Sequence, residues 1–351
     1  MIGFGKSHRA IGTRMADGRK AHSWLHGMRG SMSAAALALL AFALPCGQAG
    51  AAETTVRAAV LKTGTVNWEL DTIQRAGLDK ANGFELTLQP YADNGATRVA
   101  LEGGQADVMV ADWLWVAVQR AAGKDYVFLP YSTAVGAIVV PKDSPAKSLS
   151  DLKGKKIGIA GGPLDKSWLI LRAYAKKEYG MDLAGETEQV YGAPPLIFKS
   201  ALDGETDAAI NFWHFLAKMK AAGMRELVSV GTASVALGLD PDIPLLGYVF
   251  KESYLADHPD VLKGFYQASR GAKELLASDD SAWEALRPMM NAKTDAEFTQ
   301  LKTDYLAGVP KAGPVNEDGA ATFFKLMADY GGEKLVGDTG ALPAGLFAKV
   351  E

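Results

Sequence analysis

From Glu53 onward, short runs rich in β-branched and other apolar residues alternate with stretches whose apolar positions recur every three or four residues. That rhythm predicts an α/β fold in which strands and helices take turns. The predicted strands are Val56–Leu61, Phe84–Gln89, Val108–Ala111, Ala137–Val140, Lys156–Ala160, Glu188–Tyr191, Ala208–Asn211 and Leu227–Val230. Helices follow most of them. Trp168–Glu178 sets Trp168, Leu171 and Ala175 at helical spacing and runs into Gly180, a normal helix stop. From Tyr254 the pattern is almost wholly helical: His258-Pro259 opens a long amphipathic segment, and Trp283, Leu286 and Met290 fall at core spacing.

The chain also echoes itself. Ala100–Trp113 and Ala201–Trp213 share the order Gly-x-x-Asp, strand, Trp once a one-residue gap is allowed. Helix-turn-strand units recur in any α/β protein, but two lobes of one topology account for the echo more economically. Between them lies a Pro- and Ser-rich connector, Pro141–Gly154, and a second crossing is expected at Leu246–Phe250. The expected lobes are residues 53–138 with 247–351, the C-terminal helices closing over this first lobe, and residues 139–246.

The N-terminus reads differently. Six basic residues from Lys6 to Arg29 precede an apolar run of 11 residues, Ala34–Leu44, and then the small residues Ala49-Gly50-Ala51-Ala52. This order predicts a secretory signal peptide over residues 1–52, with Met28 or Met32 as alternative starts. The run is far below the ~20 residues of a spanning helix. Pro45 before Cys46 replaces the small residue that lipid-attachment signals use. Export to the periplasm as a soluble protein is the expectation.

Composition then bounds the function. At 48% hydrophobic and 22% charged residues the chain is too apolar for disorder, and its length fits one large domain or two ordinary ones. Lys and Arg number 37 against 40 Asp and Glu; without residues 1–52 the counts become 31 and 39, a formal charge of −8. No basic excess marks a nucleic-acid binder. The single cysteine, Cys46, leaves with the export segment, so the mature chain has no disulfide, thiol nucleophile or cysteine metal site.

Several stretches together resemble the periplasmic solute-binding proteins of ABC importers, of the nitrate, sulfonate and taurine type that also includes thiamine-precursor binders. They are Leu101–Val110, Val139–Ile159 with its Asp-Leu-Lys-Gly-Lys-Lys segment from Asp151, Leu202–Ile210, and Tyr248–Leu262 with His258-Pro259. The resemblance covers nearly all the mature chain. It implies a two-lobed α/β fold of the type II periplasmic binding protein class with additional C-terminal helices, a hinge of two crossings, and a ligand in the cleft. It also implies delivery to a membrane permease with its ATPase. A monomer is expected, without cofactor or metal.

A physical argument locates the cleft independently, because ligands of open parallel sheets bind beyond the carboxyl ends of the strands, where helix N-termini point. The loops at those ends are 64–68, 93–97, 112–115, 161–168, 191–194 and 211–214. They hold Trp68, Trp113, Trp115, Trp168 and Trp213, five of the six tryptophans that remain after Trp24. One tryptophan at a strand end usually packs in the core, and Trp115 and Trp168 fit that role; five in both lobes are harder to assign wholly to packing. The expected ligand-binding residues are Asn67, Trp68, Asn94, Thr97, Asp112, Trp113, Asp165, Tyr191, Asn211, Trp213 and His214. Aromatic faces beside Asp112 and Asp165 suit an organic cation or a heteroaromatic ring. Both aspartates equally suit helix capping. An anion such as nitrate or a sulfonate would instead seek basic groups near helix N-termini, for which Arg98 and Lys166 are the candidates.

Catalysis has little material. The mature chain keeps two histidines, His214 and His258, too few for a multi-histidine metal site. Gly158–Pro163 lacks the Gly-Lys-Ser/Thr of a phosphate loop. The sequence therefore predicts a binding component that works by hinge closure and is not an enzyme; the rivals are a two-lobed lyase-type enzyme and an exported accessory or sensory binder.

Overall fold

Ten strands form two five-stranded sheets within residues 54–350, the part of the chain that the structure, a computed structural model, describes. The expected export segment, residues 1–52, lies outside the described residues. The strands are β1 (Thr54–Leu61), β2 (Phe84–Tyr91), β3 (Val108–Asp112), β4 (Tyr126–Ser132), β5 (Ala137–Val140), β6 (Lys156–Ala160), β7 (Glu188–Gly192), β8 (Ala208–Asn211), β9 (Arg225–Ser229) and β10 (Leu246–Lys251). The helices are α1 (Val66–Arg75), α2 (Leu78–Ala81), α3 (Asn94–Glu102), α4 (Trp113–Ala121), α5 (Lys166–Tyr179), α6 (Pro194–Leu202), α7 (Trp213–Ala221) and α8 (Val230–Leu237). There follow α9 (Glu252–Asp257), α10 (Val261–Ser278), α11 (Asp280–Met290), α12 (Asp295–Ala307), α13 (Glu317–Gly331) and α14 (Glu333–Val336). Among the described residues no helix is long and apolar enough to cross a membrane.

The sheets share one topology. Their orders are β2-β1-β3-β10-β4 and β7-β6-β8-β5-β9, with the outer three strands of each parallel. The strands that follow the two crossings, β5 and β10, sit in equivalent fourth positions and run antiparallel to both neighbours. This is the two-lobed α/β architecture the sequence implies, but the crossings lie elsewhere than expected: the chain passes between the sheets at residues 133–136, the Pro141–Gly154 stretch joins β5 to β6 within the second sheet, and Leu246–Phe250 belongs to β10 of the first sheet. The echo is equally visible. Asp107 accepts a hydrogen bond from the Arg57 amide and Asp207 one from the Lys156 amide, each at 2.8 Å, so each ties its own strand to the neighbouring parallel one where their pairing begins.

All eight predicted strands coincide with observed ones to within two residues, and the Asp-Leu-Lys-Gly segment from Asp151 has a local cause. Asp151 accepts from the Lys147 and Ser148 amides at the start of a 3-10 turn, Leu152 is buried, and Gly154 takes φ +70° to swing the chain into β6. The predicted strand at Leu227–Val230 is displaced to Arg225–Ser229, because the Ser229 hydroxyl accepts from the Thr232 amide and starts α8 at Val230. Strand β4 was not expected from a segment containing Pro130. It is an edge strand, where a residue without an N–H is tolerated.

The C-terminal helices reach beyond the first sheet's lobe. Helices α10 and α11 pack on α1, but α12 lies against α7 and α13 against α5, both of which belong to the second. Trp283, Leu286 and Met290 are buried, as their spacing predicts.

Candidate functional site

A cavity of about 530 Å³ opens between the sheets, at the carboxyl ends of β1, β3, β6 and β8. Residues from the first turns of α1, α3, α4, α5 and α7 line it. A second cavity of about 730 Å³ adjoins it and shares Val60, Gly64, Thr65 and His214.

Of the residues expected from the sequence, Asn94, Thr97, Asp112, Trp113, Asp165, Trp213 and His214 line the first cavity. Asn67 and Trp68 line the second, together with His214. Tyr191 and Asn211 line neither: Tyr191 is exposed on the edge strand β7, and Asn211 is buried, donating to the Pro194 carbonyl and accepting from the Phe212 amide.

The tryptophans divide by environment. Trp113 is fully buried against Phe323, Phe324 and Phe347, and among the described residues its indole N–H has no acceptor. Trp68 meets Trp213 edge-on at 5.7 Å and also touches Trp283 and Tyr305, so α1, α7, α11 and α12 contribute to one aromatic cluster beside the cavities. Trp168 packs in the core, while Trp115 stacks on Tyr126 and has the Arg98 guanidinium over its ring, Cζ 4.7 Å from the centroid.

The polar groups of the first cavity are mostly engaged. Asp112 accepts from the Trp115 amide at 3.0 Å and pairs with Lys166 across the lobes at 3.1 Å. Asp165 accepts from the Trp168 amide at 3.0 Å, and burial pushes its carboxyl up to about 6. Burial pushes His214 the other way, to about 4, so its imidazole is neutral at pH 7. Helices α1 and α7, one from each lobe, have no side-chain cap. Their first-turn amides are therefore free of side-chain acceptors.

Sequence reasoning missed Tyr131 and Thr65. Tyr131 lies on the unexpected strand β4, lines the cavity, and has Lys273 Nζ 5.2 Å from its ring centroid. Lys273 belongs to a buried network in which Glu69 accepts from Lys273, Ser269, Tyr248 and Tyr305. Among the described residues no group of three His, Cys, Asp or Glu side chains is placed to hold a metal.

Two similar lobes, a cleft at the strand ends and a ring of helix N-termini around it define a two-lobed binding-protein fold. Residues 74–282, more than half of the chain, match the NMT1/THI5 like family, and the chain belongs to it. None of the curated proteins matches. Among solved structures, the periplasmic aliphatic sulphonate binding protein SsuA from Escherichia coli is 19% identical with a TM-score of 0.64, covering 82% of this chain and 95% of that one. The alkanesulfonate-binding protein SsuA from Xanthomonas axonopodis pv. citri, bound to MOPS, is 19% identical with a TM-score of 0.62, covering 86% and 100%. An ABC transporter protein from Parabacteroides distasonis is 14% identical with a TM-score of 0.64, covering 85% and 100%. At these identities the likeness is one of fold.

Proposed function

We propose that the protein is the periplasmic solute-binding component of an ABC importer, and that it captures a small organic anion with an apolar body between its lobes. The observation that carries the ligand class is the charge balance of the cavity wall. Asp112 and Asp165, which in a cation site would have to face the ligand, are occupied by helix amides and, for Asp112, by Lys166. Arg98 lines the same cavity with no carboxylate partner among the described residues. The uncapped starts of α1 and α7 add partial positive charge from both lobes. Val60, Val110, Leu114 and Leu245 supply apolar wall for a hydrocarbon part. The sulphonates named for the Escherichia coli and Xanthomonas proteins are organic anions of this kind.

Capture works through differential contact. An anion that meets α1 and Arg98 from one lobe and α7 from the other binds best when the lobes approach, and so shifts the population toward closure. A permease with its ATPase would read the approach of the lobes. No step of chemistry is required of the protein.

Calorimetry with alkanesulfonates and alkanecarboxylates against quaternary ammonium and heteroaromatic solutes tests the reading. Anions should bind, and Arg98→Gln should weaken them by about tenfold or more, the scale of a charge-assisted hydrogen bond. Tight binding of cations that is indifferent to Arg98→Gln but lost in Trp213→Ala would replace this reading with the cation one. Export is checked by N-terminal sequencing after periplasmic extraction: a start near Ala52 or Glu53 is expected, and an intact Ala34–Leu44 segment would overturn it.

A further inference from the structure

The second cavity has no part in the function just proposed, yet its wall has a definite chemistry. Two amines line it, Lys62 and Lys218, and neither has a carboxylate partner among the described residues. Asp71 in the same wall is held by Arg75 one turn along α1. Lys218 donates to the Asn291 carbonyl at 2.8 Å, and burial pulls its amine below the ordinary lysine range. Glu297 acts on it from farther away and is itself turned to the Lys293 amide at 2.7 Å. A half-buried ammonium with a neutral carbonyl partner and no counter-ion is in an unfavourable place, which an anionic group entering the cavity would relieve. Much of the remaining wall is apolar, with Trp68, Leu88, Phe215 and Met290.

Both compartments therefore present cations without acid partners, Arg98 in one and Lys62 with Lys218 in the other. His214 borders both and is uncharged at pH 7, so it sets no charge against an apolar linker that joins the two compartments. We propose that the cleft is bipartite and takes an elongated organic anion with an acidic group at each end, one received at Arg98 and the other at Lys218 and Lys62. This rests on the anion reading above and deepens it from a class to a shape. Two linked acidic ends act as a bivalent ligand, whose gain depends on whether the linker spans the two sites.

Calorimetry on the mature chain, comparing alkane-α,ω-disulfonates with alkanemonosulfonates of equal length over a series of chain lengths, tests it. A disulfonate of matching length should bind about tenfold or more tighter than its monosulfonate, with the gain falling away for shorter linkers. Lys218→Met, which keeps the aliphatic stem, combined with Lys62→Gln should abolish that gain and leave monosulfonate affinity within about twofold. Equal affinity of the two series at every length, or a gain that survives the double variant, overturns the bipartite cleft while the anion reading stands. Failure of both series to bind, with circular dichroism showing folded protein, overturns the anion reading itself and the bipartite cleft with it.

Discussion

Lys166 Nζ lies 3.1 Å from Asp112 Oδ2, an ion pair that joins the first residue of α5 in one lobe to the residue that caps α4 in the other. Asp112 thereby serves two ends, accepting from the Trp115 amide and from a lysine that belongs to the opposite sheet's lobe. The pair crosses the cleft beside the cavity, so it resists separation of the lobes.

The pair is partly exposed, at 28% and 21%, so its contribution is of the surface kind, about 0.5–1 kcal/mol and screened by salt. Lys166→Met is expected to raise the radius of gyration of the ligand-free protein in small-angle scattering, and to remove the salt dependence of that radius. An unchanged radius at low salt would show that the pair does not hold the lobes.

Trp113 sits at the cavity wall but is a core residue by its contacts, with three phenylalanines from α13 and the C-terminal segment around it. Trp113→Ala should cost about 3–5 kcal/mol in urea unfolding, the range for a large buried side chain. Trp213, which is only half-buried, should cost clearly less. Equal losses for the two would contradict this division between core and cleft.

Glu69 and Lys273 are buried together at 2.5 Å, with Ser269, Tyr248 and Tyr305 completing the carboxylate's partners. Removing one charge strands the other, so Lys273→Met should destabilise by about 3–5 kcal/mol. The paired change Glu69→Gln with Lys273→Met should recover most of that loss. A double variant as unstable as the single one would mean that the network's geometry, rather than its charge balance, is what matters.

Asp165 and His214 predict opposed pH effects. The Asp165 carboxyl is raised from 3.8 to about 6, so from pH 4 to 6 the folded state holds a proton the unfolded chain has released, and stability from this group falls as pH rises. His214 is lowered from 6.5 to about 4, so from pH 4 to 6.5 the unfolded chain holds the extra proton, and stability from this group rises with pH. Thermal unfolding across this window should therefore show Asp165→Asn gaining stability as pH rises and His214→Phe losing it, relative to the wild type. Slopes of the reverse sign would refute the assignment.

Periodicity alone marks most of the strands and the core face of α11, because side-chain alternation and helical spacing are local consequences of which face is buried. The echo is legible for the same reason: Asp107 and Asp207 perform one task, receiving the amide of the strand beside them, in two copies of one unit. A segment whose pairing is supplied by distant strands carries no such mark. Strand β4 holds Pro130 and is ordered by β10, more than a hundred residues later, so Tyr131's place in the cavity could not be read from its neighbours in sequence.

Local pattern carried the class of architecture, the position of the cleft at the strand ends and five of the six loops expected there; loop 191–194 does not reach the cavities, while Tyr131, Ala134–Gly136 and Leu245–Leu246 line the first one unannounced. Only the tertiary structure decided which side chains in those loops are free. Asp112 and Asp165 look available to a cation until helix amides and Lys166 are seen to occupy them, and Arg98 looks like a solvated helix residue until it is found unpaired in the cavity wall. The reason is that availability is a property of partners. A charge is satisfied or left open by groups brought to it from other lobes, and sequence spacing does not record those distances.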